Sequence, residues 1–436
     1  GMITVALLFL VSEGIRQSGT LGQVIKKLLP QGKTTVFKAQ LRILPSVAFI
    51  SAFLNNTPVV VIFAPIIKHW AKSVKLPATK FLIPLSYVTI LGGICTLIGT
   101  STNLVVHGMI LEAGYEGFTM FELGKVGIFI AIAGIIYLFI FSKRLLPDAR
   151  PDTAVPDEEV EEGEKLHRVE AVLGARFPGI NKKLSDFNFQ RHYGAEVKEI
   201  KTRNGQRYVD HLEDVVLREG DTLVVMADDT FIPTWGESSV FVLLTNGNDP
   251  DTSGKKKRWL ALILLVLMIV GATVGELPAT KEMFPDIKLD MFFFVCITTI
   301  IMAWTNIFPA RKYTKYISWD ILITIACAFA ISKAMVNSGV ADCVAGFIIG
   351  LSDDYGPHVL LAILFVITNL FTELITNNAA AALAFPLALS ISAQLGVSPT
   401  PFFVVICMAA SASFSTPIGY QTNLIVQGIG NYKFTD

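Results

Sequence analysis

The chain alternates between long apolar stretches and shorter polar connections, and one long polar stretch divides the apolar stretches into two groups. The apolar stretches lie near residues 43–67, 81–107, 122–143, 259–275, 289–308, 318–334, 357–394 and 400–428. A membrane-spanning helix needs roughly 20 apolar residues. The pattern therefore predicts an all-α polytopic membrane protein whose two membrane parts cover residues 1–144 and 258–436.

The composition strengthens this prediction. Of the 436 residues, 52% are hydrophobic and 17% are charged, whereas a soluble domain has roughly 25% charged residues. The formal net charge is zero, so no basic excess indicates a nucleic-acid partner. The six histidines are scattered and do not pair with Cys or Glu at the spacing of metal ligands.

The polar stretch predicts a small folded domain between the membrane parts. Residues 145–165 are acidic and contain Pro, which indicates a linker, and we place a second linker at 236–257. Between them, residues 166–235 contain EVKEIKTRNGQRYV and LREGDTLVVMAD, in which strand-like runs are separated by Asn-Gly and Glu-Gly-Asp turns. We expect an inserted α+β domain there.

Basic connections give the expected orientation of the first membrane part. Residues 24–42 and 68–80 carry Lys and Arg without acidic residues, which predicts that both are cytoplasmic. The apolar stretch 43–67 must then enter and leave on the same side. We predict a re-entrant hairpin whose polar tip is Asn55-Asn56-Thr57.

The same reasoning predicts that the second membrane part has the opposite orientation in the membrane. Residues 335–356 contain no Lys or Arg, so we expect an external connection there. The hairpin that follows, within 357–394, turns at Thr376-Asn377-Asn378. Lys143, Arg144 and the basic run 255–258 flank the insert, which predicts that the insert is cytoplasmic.

One phrase occurs twice at a constant offset. TLIGTSTNLVV fills residues 96–106 and TPIGYQTNLIV fills residues 416–426, and seven of the eleven positions are identical. Because the two copies are expected in opposite orientations, the sequence predicts inverted repeats, each with a re-entrant hairpin and a broken helix. Such repeats are typical of alternating-access transporters, whose sites lie near mid-bilayer at the repeat interface.

Uncharged residues that bear oxygen cluster at the tips and the breaks. The predicted substrate-binding residues are Asn55, Asn56, Thr57, Thr376, Asn377 and Asn378. The predicted cation-binding residues are Ser51, Asn56, Gly99, Asn103, Thr372, Asn377, Gly419 and Asn423. Carbonyl, hydroxyl and amide oxygens suit hard cations, and helix N-termini after the breaks suit an anion. The alternative is that these groups only stabilise the breaks and the helix packing.

These motifs resemble those of the divalent anion/sodium symporter family, within the wider ion transporter superfamily. That family has Ser-Asn-Thr at both tips and Gly-Thr-Pro-Pro-Asn-like loops after them. The middle Asn of each tip and the last Asn of the loops GTSTN and GYQTN match, whereas the double proline is absent. The resemblance implies Na⁺-coupled symport of a small divalent anion, sulfate or a di- or tricarboxylate.

The same resemblance implies a multi-pass protein surrounded by lipid in the inner or plasma membrane, with no metal beyond Na⁺ and no cofactor. It also implies further helices before Gly1 and one after Asp436. The insert resembles the C-terminal ligand-binding module of potassium-conductance regulators (TrkA-C), through FNFQRHYGAEVKEIKTRNGQ and LREGDTLVVMAD. That second resemblance implies a homodimer and a nucleotide as a candidate ligand of the insert.

Charged residues near the membrane leave a second transport class open. An intramembrane carboxylate is a functional candidate, so Glu373, beside Thr372, could serve a proton-linked or arsenite-type anion exporter of the same superfamily. Glu13 and Lys333 lie near matching Ser-Gly helix ends, where we assign them a pairing or interfacial role. An enzyme is disfavoured, because the insert has no Walker-type loop and no nucleophile–His–acid set.

Overall fold

A computed structural model describes most of the chain, with its longest gaps on either side of the insert. The described residues are 2–30, 32–148, 167–174, 176–202, 206–228, 231–235, 240–245, 255–275, 277–283, 289–309, 311, 313–350, 356–417, 419–434 and 436. The predicted acidic linker from residue 149 onward and residues 246–254 of the predicted second linker lie outside the described residues.

The first membrane part is helical. Its helices are α1 (Met2–Gln17), α2 (Thr20–Leu28), α3 (Val36–Ser51), α4 (Asn56–Ser73), α5 (Thr79–Gly93), α6 (Ser101–Glu112) and α7 (Gly124–Leu145). The backbone N–H of Lys38 donates to the Thr35 hydroxyl at 3.4 Å, which caps the start of α3. Helices α3 and α4 are the arms of the predicted hairpin, and residues 94–100 separate α5 from α6 at the predicted break.

Short elements and then a second helical part follow. The short helices α8 (Phe189–Tyr193) and α9 (Phe231–Trp235) belong to the insert. The second membrane part contains α10 (Lys255–Gly275), α11 (Pro278–Met283), α12 (Met291–Trp304), α13 (Tyr313–Tyr316), α14 (Trp319–Asn337), α15 (Val340–Gly350), α16 (Pro357–Leu374), α17 (Asn377–Leu395), α18 (Thr400–Ser411) and α19 (Gln421–Gly430). Helix α16 ends before residues 375–376 at the predicted second tip, and the described residues 412–417 and 419–420 lie between α18 and α19 at the predicted second break.

Helix junctions recur at the spacing of the repeated phrase. Gly19 separates α1 from α2 and Gly339 separates α14 from α15, and both glycines have a positive φ, of 71° and 73°. Glycine adopts this left-handed conformation without the steric cost that a side chain adds. The matching Ser-Gly pairs at 18–19 and 338–339 therefore mark the same kind of bend in both membrane parts.

The predicted external connection 335–356 is largely helical where it is described. Helix α14 extends to Asn337, and α15 follows the bend after Gly339. Ala341, Ala345 and Ile348 recur at helical spacing and are buried, and α15 packs against α17. Part of this segment thus presents an apolar helix face to its neighbours, which a count of Lys and Arg alone does not reveal.

Several helices are suited to crossing a membrane. By length and composition, four described helices qualify: 124–145, 256–275, 357–374 and 377–395. The pair α14 and α15 would add a fifth span if its two helices, bent by 72°, are taken together. Because both arms of the second hairpin are long enough to cross, its re-entrant character stays a prediction.

The insert contains a five-stranded antiparallel sheet. Its strands are β1 (His167–Leu173), β2 (Glu196–Lys201), β3 (Arg207–Tyr208), β4 (Thr222–Ala227) and β5 (Phe241–Thr245), in the order β3-β2-β4-β1-β5. Strand β5 pairs with β1 and falls inside the predicted second linker. The predicted linker therefore starts too early, because residues 241–245 belong to the sheet.

The two faces of the sheet have different neighbours. Side chains alternate between faces along a strand, and on β1 Val169 and Ala171 pack into the insert's own aromatic core. Val172, on the opposite face, packs into the core of the membrane part. The insert therefore rests against the membrane helices through one face of its sheet.

Candidate functional site

The first hairpin tip is held by a buried hydroxyl and a buried amide. Ser51 ends α3 and Asn56 begins α4, and their side chains are 0% and 1% exposed. The Ser51 hydroxyl lies 2.8 Å from the Asn56 amide and 2.9 Å from the backbone oxygen of Thr89 on α5. The Ser51 hydroxyl thus connects the tip amide to the neighbouring helix α5.

The second tip repeats these contacts with equivalent residues. Thr372 near the end of α16 donates to Oδ1 of Asn377, the first residue of α17, at 3.2 Å. The same hydroxyl lies 2.6 Å from the backbone oxygen of Ala410 on α18. Each of these residues stands 321 positions after its counterpart at the first tip. The structure therefore brings the predicted hydroxyl and tip asparagine together in both membrane parts.

Hydrogen bonding selects the orientation of the Asn56 amide. In the favoured orientation, Nδ2 of Asn56 donates to the backbone oxygens of Thr89 and Gly99 at 3.0 and 3.2 Å. The amide oxygen then accepts from the Tyr420 hydroxyl at 2.5 Å. In this orientation the amide nitrogen, rather than the amide oxygen, faces these two backbone oxygens, which is why it is favoured.

The first break is organised by Asn103. Its Nδ2 donates to the backbone oxygens of Gly93 and Thr96 at 3.3 and 2.8 Å. The Thr96 hydroxyl in turn donates to the backbone oxygen of Ala52 and accepts from the N–H of Gly99. Backbone groups that lose helical partners at the break are thus satisfied by side chains.

The second break has the same pattern. Nδ2 of Asn423 donates to the backbone oxygens of Ser413 and Thr416 at 2.8 and 3.3 Å. The Thr416 hydroxyl donates to the backbone oxygen of Glu373 at 3.3 Å and accepts from the N–H of Gly419. Every contact has its counterpart in the first break.

The two amide oxygens of the breaks differ. Oδ1 of Asn423 accepts from the Ser86 hydroxyl at 2.7 Å. Oδ1 of Asn103 is buried and has no hydrogen-bond donor. Cys407, with a weakly donating thiol, stands at the position equivalent to Ser86. A buried acceptor without a donor costs free energy unless a cation or water satisfies it.

Glycine is required where the breaks approach the tips. A side-chain carbon on Gly99 would lie 2.5 Å from the backbone oxygen of Gly93 and 2.9 Å from that of Ala52. A side-chain carbon on Gly419 would lie 2.7 Å from the backbone oxygen of Thr372. The glycines thus allow several oxygens to gather in a small volume.

The remaining tip residues connect the two membrane parts. Thr57 lies 3.3 Å from Oε1 of Gln421. Oδ1 of Asn378 accepts from Ser101 and Thr102 at 3.3 and 3.4 Å. Each tip therefore contacts the helix that follows the break of the other part, which brings residues about 280 to 360 positions apart into one site.

The two residues that precede the tip helices behave differently. Thr376 caps α17 by accepting from the N–H of Ala379 at 3.4 Å. Asn55 precedes α4 without a side-chain cap, and it lines a small cavity together with Ser101 and Ser12. All twelve predicted site residues thus lie at the tips or the breaks, and their roles toward substrate and cation stay predictions.

The carboxylate of Glu373 is held by backbone N–H groups. Its carboxylate accepts from the backbone N–H groups of Phe414, Ser415 and Thr416, each at 3.0 Å. These donors belong to the second break, so the carboxylate stabilises that irregular segment. Glu13, the other carboxylate singled out by its position, pairs with Arg16 on α1 at 2.6 Å.

Sequence reasoning missed Tyr420 and Ser86. The Tyr420 hydroxyl lies 2.5 Å from the Asn56 amide and 3.1 Å from the Thr100 hydroxyl. Tyr420 aligns with Thr100 in the repeated phrase. The hydroxyl that both residues carry could have identified Tyr420 as a candidate from the sequence. Ser86 lies in an ordinary apolar helix and gave no such signal.

The gathered donor set consists of amide, hydroxyl and backbone oxygens. Within the part of the chain that the structure describes, no group of three His, Cys, Asp or Glu side chains could hold a metal ion. Neutral oxygen ligands are those that hard cations accept. The chemistry of the site therefore fits an alkali cation beside an anion.

Comparisons with known proteins agree with a transporter. The family model described as CitMHS, citrate transporter, matches residues 1–394 and 283–436. An uncharacterized transporter of Synechocystis sp. is 28% identical over 519 aligned residues, which cover 100% of this chain and 84% of that protein.

Two relatives have named substrates. Sodium/sulfate cotransporter 2 of Chlamydomonas reinhardtii is 30% identical over 268 residues, 61% of this chain and 30% of that protein. The sodium-dependent dicarboxylate transporter SdcS of Staphylococcus saprophyticus is 28% identical over 119 residues, 27% of this chain and 23% of that protein. These names indicate transporters rather than enzymes.

Proposed function

The chain belongs to the CitMHS citrate transporter family, and within that family we propose that it couples Na⁺ to the uptake of a small divalent anion. It is a multi-pass membrane protein and an anion transporter. The coupling ion, the anion and the mechanism are the proposal. They rest chiefly on one observation, the matched hydrogen-bond networks around Asn56 and Asn377.

The cation sites lie between each tip and the break that follows it. In the first part, the buried and donor-free Oδ1 of Asn103 supports a cation ligand, together with the backbone oxygens of Gly93 and Ala52. In the second part Asn423 is the equivalent amide, but its oxygen already accepts from Ser86, and the backbone oxygen of Thr372 lies close to the same break. The ligands are neutral, so the positive charge of a bound Na⁺ remains available to an anion nearby.

The anion lies between the two tips. Helices α4, α6, α17 and α19 all begin there, and their first N–H groups and positive dipole ends favour negative charge. The side chains of Thr57 and Asn378, which reach across to the other part, are placed to contact it. Bound Na⁺ offsets the cost of bringing a divalent anion into an uncharged site, which is a physical basis for symport.

Two inverted repeats that move relative to each other would expose this site alternately. The recurring helix junctions and contacts at offsets of 320 and 321 support the repeat, and the predicted cytoplasmic connections support its inversion. Residues 1–144 and 258–436 would form the two repeats, each with a re-entrant hairpin. The protein would lie in the inner or plasma membrane with its insert in the cytoplasm.

Proteoliposome uptake tests this function. Purified full chain would be reconstituted and supplied with labelled sulfate, succinate or citrate, with an inward Na⁺ gradient or with K⁺ in its place. We expect uptake of at least one of these anions to depend on Na⁺. Equal uptake in Na⁺ and K⁺ would contradict the coupling, and accumulation driven by a pH gradient alone would favour the exporter class instead.

We propose further that the insert is a TrkA-C-like regulatory domain of a homodimer. Its sheet contacts the membrane part directly: the Lys68 ammonium on α4 lies 3.1 Å from both carboxylate oxygens of Glu170 on β1. Gly220 lies so close to Leu424 of α19 that a side-chain carbon there would overlap it. Leu424 follows Asn423 in the chain, which links the insert to the second break.

A ligand of the insert regulates transport only if it binds two states of the insert with different affinity. The comparison is Na⁺-driven uptake by the full chain with and without candidate nucleotides, beside a variant with residues 160–245 replaced by a short linker. A nucleotide effect in the full chain that the variant lacks would support regulation. Identical responses of both proteins would show the insert to be passive.

A further inference from the structure

Tyr420 places an aromatic ring in a site otherwise built from short polar side chains. Its equivalent in the first repeat of the phrase is Thr100. Both residues directly precede a helix that begins at the break, α19 and α6. The site is therefore asymmetric at this position: Thr100 carries its hydroxyl on a short side chain, whereas Tyr420 carries its hydroxyl on an aromatic ring.

The hydroxyl of Tyr420 holds the ring in a fixed place. It lies 2.5 Å from the Asn56 amide and 3.1 Å from the Thr100 hydroxyl. Asn56 belongs to the first tip and Thr100 to the first break, whereas Tyr420 itself belongs to the second break. A phenol has one donor and can accept from others, so a single oxygen atom joins all of these elements.

The ring itself is buried. Tyr420 is 7% exposed. It directly precedes Gln421, whose Oε1 lies 3.3 Å from the hydroxyl of Thr57, a side chain that the proposed function places against the anion. An anion that contacts Thr57 therefore lies close to this ring. Interiors packed as closely as those of proteins do not accommodate extra groups without displacement of their neighbours.

We propose that Tyr420 is the specificity-determining residue of the anion site. The bulk of its buried ring limits the substrate to a compact oxyanion, of the size of a tetrahedral inorganic anion, and excludes a branched tricarboxylate such as citrate. This inference rests on the proposed function, since it assigns a role at the same site. It adds a steric limit that neither the family model nor the names of the relatives contain.

Competition in proteoliposomes tests the limit. Na⁺-driven uptake of labelled sulfate would be measured with increasing unlabelled sulfate or citrate, for the wild type, Tyr420→Thr and Tyr420→Phe. In the wild type, we expect citrate to inhibit only at concentrations about tenfold or more above those of sulfate. Tyr420→Thr copies Thr100 and opens the space, so this ratio should fall by about tenfold.

Tyr420→Phe is the matched control, because it retains the ring and removes only the anchoring hydroxyl. Its ratio should stay within about threefold of the wild type. An unchanged ratio in Tyr420→Thr would overturn the proposal, and so would an equal shift in Tyr420→Phe. Efficient inhibition or uptake by citrate in the wild type would overturn it while leaving Na⁺-coupled transport intact.

A binding measurement covers variants that insert poorly or do not transport. Anion-induced increases in melting temperature would be compared for purified wild type, Tyr420→Thr and Tyr420→Leu, with sulfate and with citrate in Na⁺ buffer. Stabilisation of the wild type by sulfate alone, with citrate gaining an effect in the smaller variants, supports the steric limit. Stabilisation of the wild type by citrate contradicts it, even where uptake is absent.

Discussion

The hydroxyl of Ser86 lies 2.7 Å from Oδ1 of Asn423, so the amide oxygen of the second break already has a donor. The equivalent oxygen, on Asn103, is buried without one. Two otherwise matching networks therefore differ at the atom that a cation would contact. The first break is better prepared for a cation, because its amide oxygen is not already engaged.

Substitution of Asn103 should change the Na⁺ dependence of uptake more than substitution of Asn423. Loss of a ligand to a charged species costs about 1.5–3 kcal/mol, which corresponds to about 10- to 100-fold. We expect Asn103→Ala to raise the Na⁺ concentration for half-maximal uptake by about that factor, whereas Asn423→Ala should reduce uptake mainly through lower stability. Na⁺ titrations of uptake and melting temperatures check this, and equal Na⁺ shifts in both variants would contradict it.

The tip asparagines should be essential. Asn56→Ala and Asn377→Ala each remove an amide that joins a tip to its neighbours, so we expect uptake to fall by about tenfold or more. Asn181→Gly in the insert is the control, because Asn181 has a φ of 62°, which glycine adopts freely. Normal Na⁺-dependent uptake by either tip variant would show that its asparagine is not part of the transport site.

A methyl group at the first break should disrupt it. In Gly99→Ala the new carbon would lie 2.5 Å from the backbone oxygen of Gly93, and such overpacking costs about 1–3 kcal/mol. We expect a lower melting temperature and loss of most uptake. Gly108→Ala on α6 is matched to it, since its nearest neighbour would be 3.8 Å away. Similar losses in both variants would show that the close approach at Gly99 is not the cause.

Glu373→Gln should weaken the second break without changing the coupling ion. The carboxylate accepts from three backbone N–H groups, and an amide cannot accept equally from all of them. We expect a several-fold loss of uptake that retains its Na⁺ dependence, with a larger loss in Glu373→Ala. Glu122→Gln, whose carboxylate accepts from the N–H of Thr119, is the control. Complete loss of transport, with no Na⁺ effect in the wild type, would instead identify the proton-linked exporter.

Contact between the insert and α4 should be insensitive to pH in the neutral range. Burial opposes the charged form of Glu170, but the nearby ammonium groups of Lys68 and Lys201 outweigh it and lower its pKa from 4.5 to about 2. Because the folded-state pKa is depressed, the stabilisation is complete above about pH 4.5 and is lost as the pH falls toward 2.

Glu170→Gln should therefore destabilise the protein by about 1.5–3 kcal/mol at pH 7. The difference from the wild type should stay constant between pH 5 and 8 and shrink below pH 4. Thermal unfolding at several pH values measures this. A difference that changes markedly between pH 6 and 8 would show that another titrating group controls the contact.

Local chemistry made much of this architecture predictable. Asn-rich tips and Gly-Asn loops within apolar sequence have few explanations other than interrupted helices, because unpaired backbone groups in a membrane need nearby polar partners. The offset of 320 to 321 pairs Asn56 with Asn377 and Asn103 with Asn423 from the sequence alone. Strand-like runs separated by turns likewise predicted the sheet of the insert.

Contacts between distant residues required the tertiary structure. Whether Tyr420 reaches Asn56, or Ser86 reaches Asn423, depends on how two membrane parts pack, and neither periodicity nor motif spacing contains that geometry. The same holds for β5, whose strand exists through pairing with β1 outside the predicted domain. The sequence by itself determined which groups carry the chemistry and where the helices break. Only the packing decided which of those groups already have partners, since a hydrogen bond depends on distances of a few tenths of an ångström.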